Sequence, residues 1–142
     1  MKLSIGEFIG MNLDAFAASW APRLLSVMRI MTGLLFLQHG TAKLFKIPVI
    51  PMFANLSLTS LPGIAGILEL VGGVLMIVGL FTRSTAFVLS GLMAFAYFIA
   101  HAPRGFWPIL NAGELAILYC FVFLYFAAAG PGPWSVDAAR RK

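Results

Sequence analysis

Apolar runs of helical length alternate along this chain with short segments rich in proline and polar residues, a pattern that predicts four membrane-crossing helices. The first, residues 22–45, opens at Pro22, which suits a first helical turn, and Pro48 closes its far side. Its roughly 24 residues reach about 36 Å at the α-helical rise, enough to cross with some tilt. Arg29, Thr32, Phe36, His39 and Lys43 step by three, four, three and four. They share a face that must point into a bundle, because charge is costly against lipid.

The second span, 63–81, begins after Pro62 and carries Gly66, Gly72, Gly73 and Gly79, small residues that let membrane helices approach closely. Glu69 is set into this apolar run and needs a partner. The third span, 84–101, follows the Thr82-Arg83-Ser84 turn and ends before Pro103, with Ser90, Ala94, Tyr97 and His101 on one face. Asn111 is placed to cap the fourth, 112–129, with Glu114 suited to the cap and the helix dipole before GPGPW ends the run. Residues 1–21 read as a retained cytoplasmic or interfacial segment, the alternative being a disordered tail, and 130–142 as a cytoplasmic tail. The apolar connection 46–62 is expected on the outer membrane surface or dipping back over the bundle, as a lid or a simple connection, and 101–111 is again apolar and aromatic, with Trp107 as an interfacial anchor.

Composition agrees. Of 142 residues 61% are hydrophobic and 11% charged, and the mean hydropathy is +0.94. The expected fold is all-α, an integral membrane four-helix bundle in a single domain, with no nucleic-acid partner. The single Cys120 excludes an intrachain disulfide and CxxC thiol chemistry. Four spans put Lys2, Arg23, Arg29, Arg83, Arg140, Arg141 and Lys142 on one side and Lys43, Lys46 and Arg104 on the other. That bias predicts cytoplasmic termini.

The same topology gathers Gln38, His39, Lys43, Glu69, Tyr97, His101, Arg104, Asn111 and Glu114 into the outer half. His39 lies about 9 Å inside Phe45 and Glu69 about 10 Å inside Pro62, so the two are at similar depth. The inner half holds Arg29, whose long side chain can snorkel to the interface. A metal site is poorly supported because the histidines and carboxylates have no ligand-like spacing, and haem has only two scattered histidines to recommend it. Polar groups at the mouth of an aromatic-lined bundle suit a lipid-soluble headgroup such as a quinone. Lys43, Tyr97, Arg104 and Asn111 would bind it or a small anionic substrate, while His39, His101, Glu69 and Glu114 would move protons. A second reading pairs Lys43 with Glu69 and Arg104 with Glu114 merely to fix the bundle.

The segments HGTAKLF at 39–45, GILELVGGVLMIVGLFTR at 66–83, and AYFIAHAPRGFWPILNAGELAILYCFVFLYFAAAGPGPWS in the second half resemble the DoxX family of four-helix membrane proteins. The resemblance runs from Arg29 to Asp137, and the matching positions are His39, Gly40, Lys43, Glu69, Gly72, Gly73, Arg83, His101, Asn111 and Glu114. It implies a bacterial inner-membrane protein related to a subunit of a thiosulfate:quinone oxidoreductase. Some relatives are linked to a thiosulfate sulfurtransferase and a superoxide dismutase in oxidative-stress defence.

The leading expectation is a quinone-linked redox protein or redox-complex subunit, in a homo-oligomer or with other membrane or redox proteins. No flavin or dinucleotide fingerprint is present, so quinone or a partner must carry the electrons. The alternative is a non-catalytic scaffold or assembly subunit whose apolar loops and glycine-rich helix bind other membrane proteins. A solute transporter is disfavoured because no matching polar path crosses the inner half.

Overall fold

The computed structural model describes residues 5–141, the side chains of 5–9, 11 and 12 excepted. Lys2 and Lys142, counted above for orientation, and the side chains of Glu7, Phe8 and Ile9 lie outside this description. The chain is an all-α membrane bundle, and among the described residues there is no strand. Helix α1 spans Ile5–Phe45, α2 Leu61–Val78 and α3 Thr82–Ala96, the last continued by a π-helical turn at Tyr97–His101. A short α4, Pro108–Asn111, leads into α5, Glu114–Ala129, and α6 is the single turn Val136–Ala139. By length and apolar composition the helical stretches Leu13–Phe45, Leu61–Val78 and Thr82–Arg104 can each cross a membrane. Helix α5, with 16 residues, is apolar but shorter, about 24 Å.

The first helix differs from the expectation that Pro22 opens it. It runs for 41 residues straight through Pro22. A proline inside a helix removes one backbone donor, but residues 13–24 are exposed, so the freed carbonyl is not trapped in a core. Nearby side chains also serve the local carbonyls, with Ser19 Oγ donating to Phe16 O at 2.7 Å and Ser26 Oγ to Pro22 O at 3.3 Å. The remaining ends follow ordinary capping chemistry. Ser60 accepts from Gly63 N to start α2, and Gly79 ends it at φ 70°, a left-handed conformation that glycine adopts without strain.

The helices form two tight pairs, α1 with α2 and α3 with α5. Glycine makes the first seam. A Cβ at Gly40 would fall 2.6 Å from Leu70 N, and one at Gly73 would fall 3.0 Å from Leu37 Cα. The second pair is joined by Ser90 Oγ, which donates to Cys120 O at 2.8 Å. Phe36, Met76, Ala86, Leu89, Met93, Phe123 and Phe126 fill the space where the pairs meet.

Polar groups fasten the end where α2 turns into α3. Arg29 is fully buried, and its guanidinium donates to Ile77 O and Pro131 O, each at 2.8 Å, and to the carbonyls of Met76 and Trp134. Arg29 thus extends toward the C-terminal end of α2 and is held there by backbone carbonyls. Arg83 does the same for α5, donating to Ala127 O at 2.9 Å and to Ala128 O. Asp137 of α6 accepts from Phe81 N at 2.9 Å and Thr82 N at 2.8 Å at the start of α3.

Replacing Arg29 by Met is expected to leave these buried carbonyls without a donor and to cost about 3 kcal/mol or more. Arg29→Lys should fall between the two, since an ammonium cannot reproduce the planar fork. Unfolding of the purified variants in mixed micelles measures both. Partial burial would raise the Asp137 pKa, but the backbone donors of Thr82 and Phe81, with the charge of Arg141, lower it overall. Its stabilisation, about 0.5–1 kcal/mol for an anion at a helix start, is therefore complete above the ordinary carboxylate value near 3.9. It is lost as pH falls through the lowered folded value. Wild type and Asp137→Asn should differ in thermal stability at pH 7 and converge in strong acid.

Candidate functional site

At the opposite end the helices enclose a cavity of about 620 Å³. The α2–α3 connection there is replaced by the long segments that follow α1 and α3, so the pairs separate. Five residues singled out in the sequence line this cavity: His39 and Lys43 from α1, Glu69 from α2, His101 from the π-helical turn, and Arg104 from the 3-10 turn after it. Helical spacing places His39 and Lys43 one turn apart on the face of Phe36. The π-helical turn adds a residue to the last turn of α3 and brings His101 beside Asn111, whose carbonyl lies 3.0 Å from Nδ1.

The centre of the site is an ion pair. Lys43 Nζ donates to Glu69 Oε1 at 2.6 Å, and the two side chains are only 13% and 4% exposed. Gly66 makes room for it, since a Cβ there would sit 3.0 Å from Lys43 Cβ. Glu69 Oε2 is buried with no hydrogen-bond partner among the described residues. Lys43 also stands 5.7 Å over the Phe53 ring, in a segment held by Lys46, which donates to Phe53 O.

The inner wall is aromatic. Phe36 packs edge-on against Tyr119 at 5.3 Å and Phe123 at 4.8 Å, and His39 meets Tyr119 at 6.2 Å. Tyr119 and Phe36 therefore belong to the site but were not singled out as site residues. Tyr119 lies five residues into a helix with no polar stripe, so the sequence offered only its position about one and a half turns from the helix start. The rim is apolar as well, with Leu61 and Ile64 of α2 and Phe95 and Ile99 of α3 lining the cavity while exposed on the surface.

Three other candidates do different work. Asn111 is buried but structural, donating to Gly105 O and accepting from Gly113 N, both at 2.8 Å. Tyr97 stacks on His101 at 6.4 Å and does not line the cavity. Glu114 is exposed at the start of α5 and belongs to a separate surface pocket with Pro108, Leu118 and Phe121. Gly113, not Asn111, is the N-cap of α5, because Ala112 turns left-handed and ends α4 first. Of the two internal pairs considered, Lys43–Glu69 forms; among the described residues Arg104–Glu114 does not. No three His, Cys, Asp or Glu side chains among the described residues group as metal ligands.

Fold and site thus define a small helical membrane protein with an apolar cavity, a buried ion pair and two histidines at one end of a four-helix bundle. The DoxX family model matches residues 24–102, which include His39, Lys43, Glu69 and His101, and the chain belongs to that family. An uncharacterized protein of Haemophilus influenzae is 43% identical over 122 residues, covering 83% of this chain and 91% of that protein. An uncharacterized membrane protein of Mycobacterium tuberculosis is 30% identical over 154 residues, covering 85% and 88%. No solved structure matches significantly.

A buried pair resists the loss of one partner more than the loss of both. Lys43→Met and Glu69→Leu are each expected to destabilise the bundle by about 3 kcal/mol, and the double variant to recover much of that loss. Unfolding free energies of the four proteins in mixed micelles test the coupling. Strictly additive losses would show that the pair does not act as a unit.

Proposed function

We propose that this protein is a quinone-linked membrane redox protein or redox-complex subunit that binds the headgroup of a lipid-soluble quinone in the cavity between its helix pairs. The observation that carries this reading is the joining of a buried, half-satisfied ion pair to an apolar, aromatic-walled cavity. A volume of about 620 Å³ lies within the range of small-ligand sites. Its apolar rim on α2 and α3 favours a ligand arriving from the hydrocarbon rather than from water.

A bound quinone would supply the two-electron chemistry that the side chains of this chain lack. The protein's own part is to hold and orient. Phe36 and Tyr119 offer faces for an aromatic ring, His39 and Arg104 offer donors for a ring oxygen, and His101, whose Nδ1–H is taken by Asn111 O, offers Nε2 as an acceptor. Glu69 and the histidines are the groups able to hold or release a proton at the headgroup. Family membership adds sulfur-compound oxidation through a partner as the source of electrons, in a bacterial inner membrane with cytoplasmic termini. The scaffold alternative loses one support, because Gly66, Gly72 and Gly73 already face Lys43, Leu89 and Leu37 within the chain.

The test is extraction of lipids from protein purified in mild detergent, with quinone quantified by mass spectrometry. Wild type should carry quinone near stoichiometry. Ala96→Phe, which fills the cavity, and His39→Ala should each retain at least about tenfold less, a loss comparable to 1.4 kcal/mol, while remaining folded by circular dichroism. A folded wild type that neither retains nor rebinds quinone would overturn the proposal.

A further inference from the structure

The ion pair bears on which form of such a ligand the cavity accepts, and the argument rests on the reading that the ligand is of the quinone class. Lys43 engages only one oxygen of Glu69. The other, Oε2, is buried and, among the described residues, unpartnered, on a side chain 4% exposed that lines the cavity. An ionised carboxylate is an acceptor only, and the neighbouring ammonium supplies its counter-charge. A ligand group that satisfies Oε2 must therefore donate. The carbonyl of an oxidised quinone has no hydrogen and would set its lone pairs against those of the carboxylate. The hydroxyl of the reduced hydroquinone can donate there.

Most of the wall does not make this distinction. His39, Arg104 and Tyr119 can each donate a hydrogen bond. A ring oxygen accepts such a bond in both redox forms. His101, whose Nδ1–H is taken by Asn111 O, leaves Nε2 as an acceptor in the neutral ring and favours a hydroxyl as well. The charged acceptor is Glu69, and a site built around a buried acceptor rejects an analogue lacking the matching hydrogen more strongly than an apolar pocket rejects a change of size. We propose that the cavity is selective for the hydroquinone, Glu69 Oε2 accepting a hydrogen bond from one ring hydroxyl while Lys43 holds Oε1.

The experiment is anaerobic titration of the full-length protein in lipid nanodiscs with a short-chain benzoquinol, the matching benzoquinone and the quinol's di-O-methyl ether, binding being followed calorimetrically. The quinol should bind at least about tenfold more tightly than the quinone, a difference of 1.4 kcal/mol, and the ether should lose that advantage. Glu69→Gln should narrow the quinol preference to about twofold without weakening the quinone, while keeping a partner for Lys43. The ether comparison uses wild type alone and so stands if the variant does not fold. Equal affinity of quinol and quinone, or an ether that binds as well as the quinol, overturns the selectivity and leaves the quinone-class reading intact. Binding of none of the three to folded protein overturns both.

Discussion

The buried guanidinium of Arg29 is the constraint from which the rest of the architecture follows. A bare charge in an apolar interior is costly, and only close hydrogen-bond partners make it tolerable. Arg29 meets Met76 and Ile77 near the C-terminus of α2, where the last helical carbonyls lack donors and the helix dipole is negative. It also meets Pro131 and Trp134 after α5, so one side chain ties α1 to α2 and to the C-terminal turn. Arg83 of α3 performs the same task on the last carbonyls of α5. In each helix pair, an arginine from the first helix closes the C-terminus of the second.

That arrangement divides the few polar residues between two ends. At the arginine end the α2–α3 turn is short, and Asp137 fastens it by taking the first free N–H groups of α3. At the other end the connections are long, and the pairs separate around the cavity. Ser60, Lys46 and Asn111 serve helix ends and turns there, but Lys43 and Glu69 do not. Lys43 and Glu69 satisfy each other incompletely, and His101 is oriented by a backbone carbonyl. The glycine seam between α1 and α2 matters to the cavity too, since its closeness puts Lys43 within reach of Glu69.

Much of this was legible in the sequence, for a physical reason. Charged and imidazole side chains are rare in membrane helices, so each is informative. The helical rise put His39 and Glu69 at one depth before any contact was known. Local patterning was less reliable. Pro22 read as a helix start because the sequence does not reveal that its turn faces outward and tolerates a missing donor. Glu114 was grouped with the cavity on depth alone, but a helix has faces as well as ends, and this carboxylate lies on the outer one. The partners of Arg29 were not legible because its acceptors are backbone carbonyls of Met76, Ile77, Pro131 and Trp134, the last two more than 100 residues away, and backbone groups leave no signature in composition. Tyr119 was passed over because an aromatic residue in an apolar helix is ordinary until the fold sets it beside a histidine.

The same division of the ends distinguishes a binding site from a conduit. Beyond the cavity, toward the arginine end, Phe36, Met76, Phe123 and Phe126 are each at most 1% exposed and fill the cross-section. Opening a path through them would mean parting the α1–α2 pair from the α3–α5 pair. That movement would strip Arg29 of the Pro131 and Trp134 carbonyls. It leaves charge and backbone carbonyls unpaired in an apolar interior, a penalty of several kcal/mol. At the cavity end, among the described residues, no side-chain hydrogen bond joins α2 to α3, and the exposed Leu61, Ile64, Phe95 and Ile99 line the rim. Contacts between such side chains are dispersion contacts that lipid can replace. The cavity is thus closed toward the arginine end, and in the reading proposed above a hydrophobic ligand would exchange through the apolar rim.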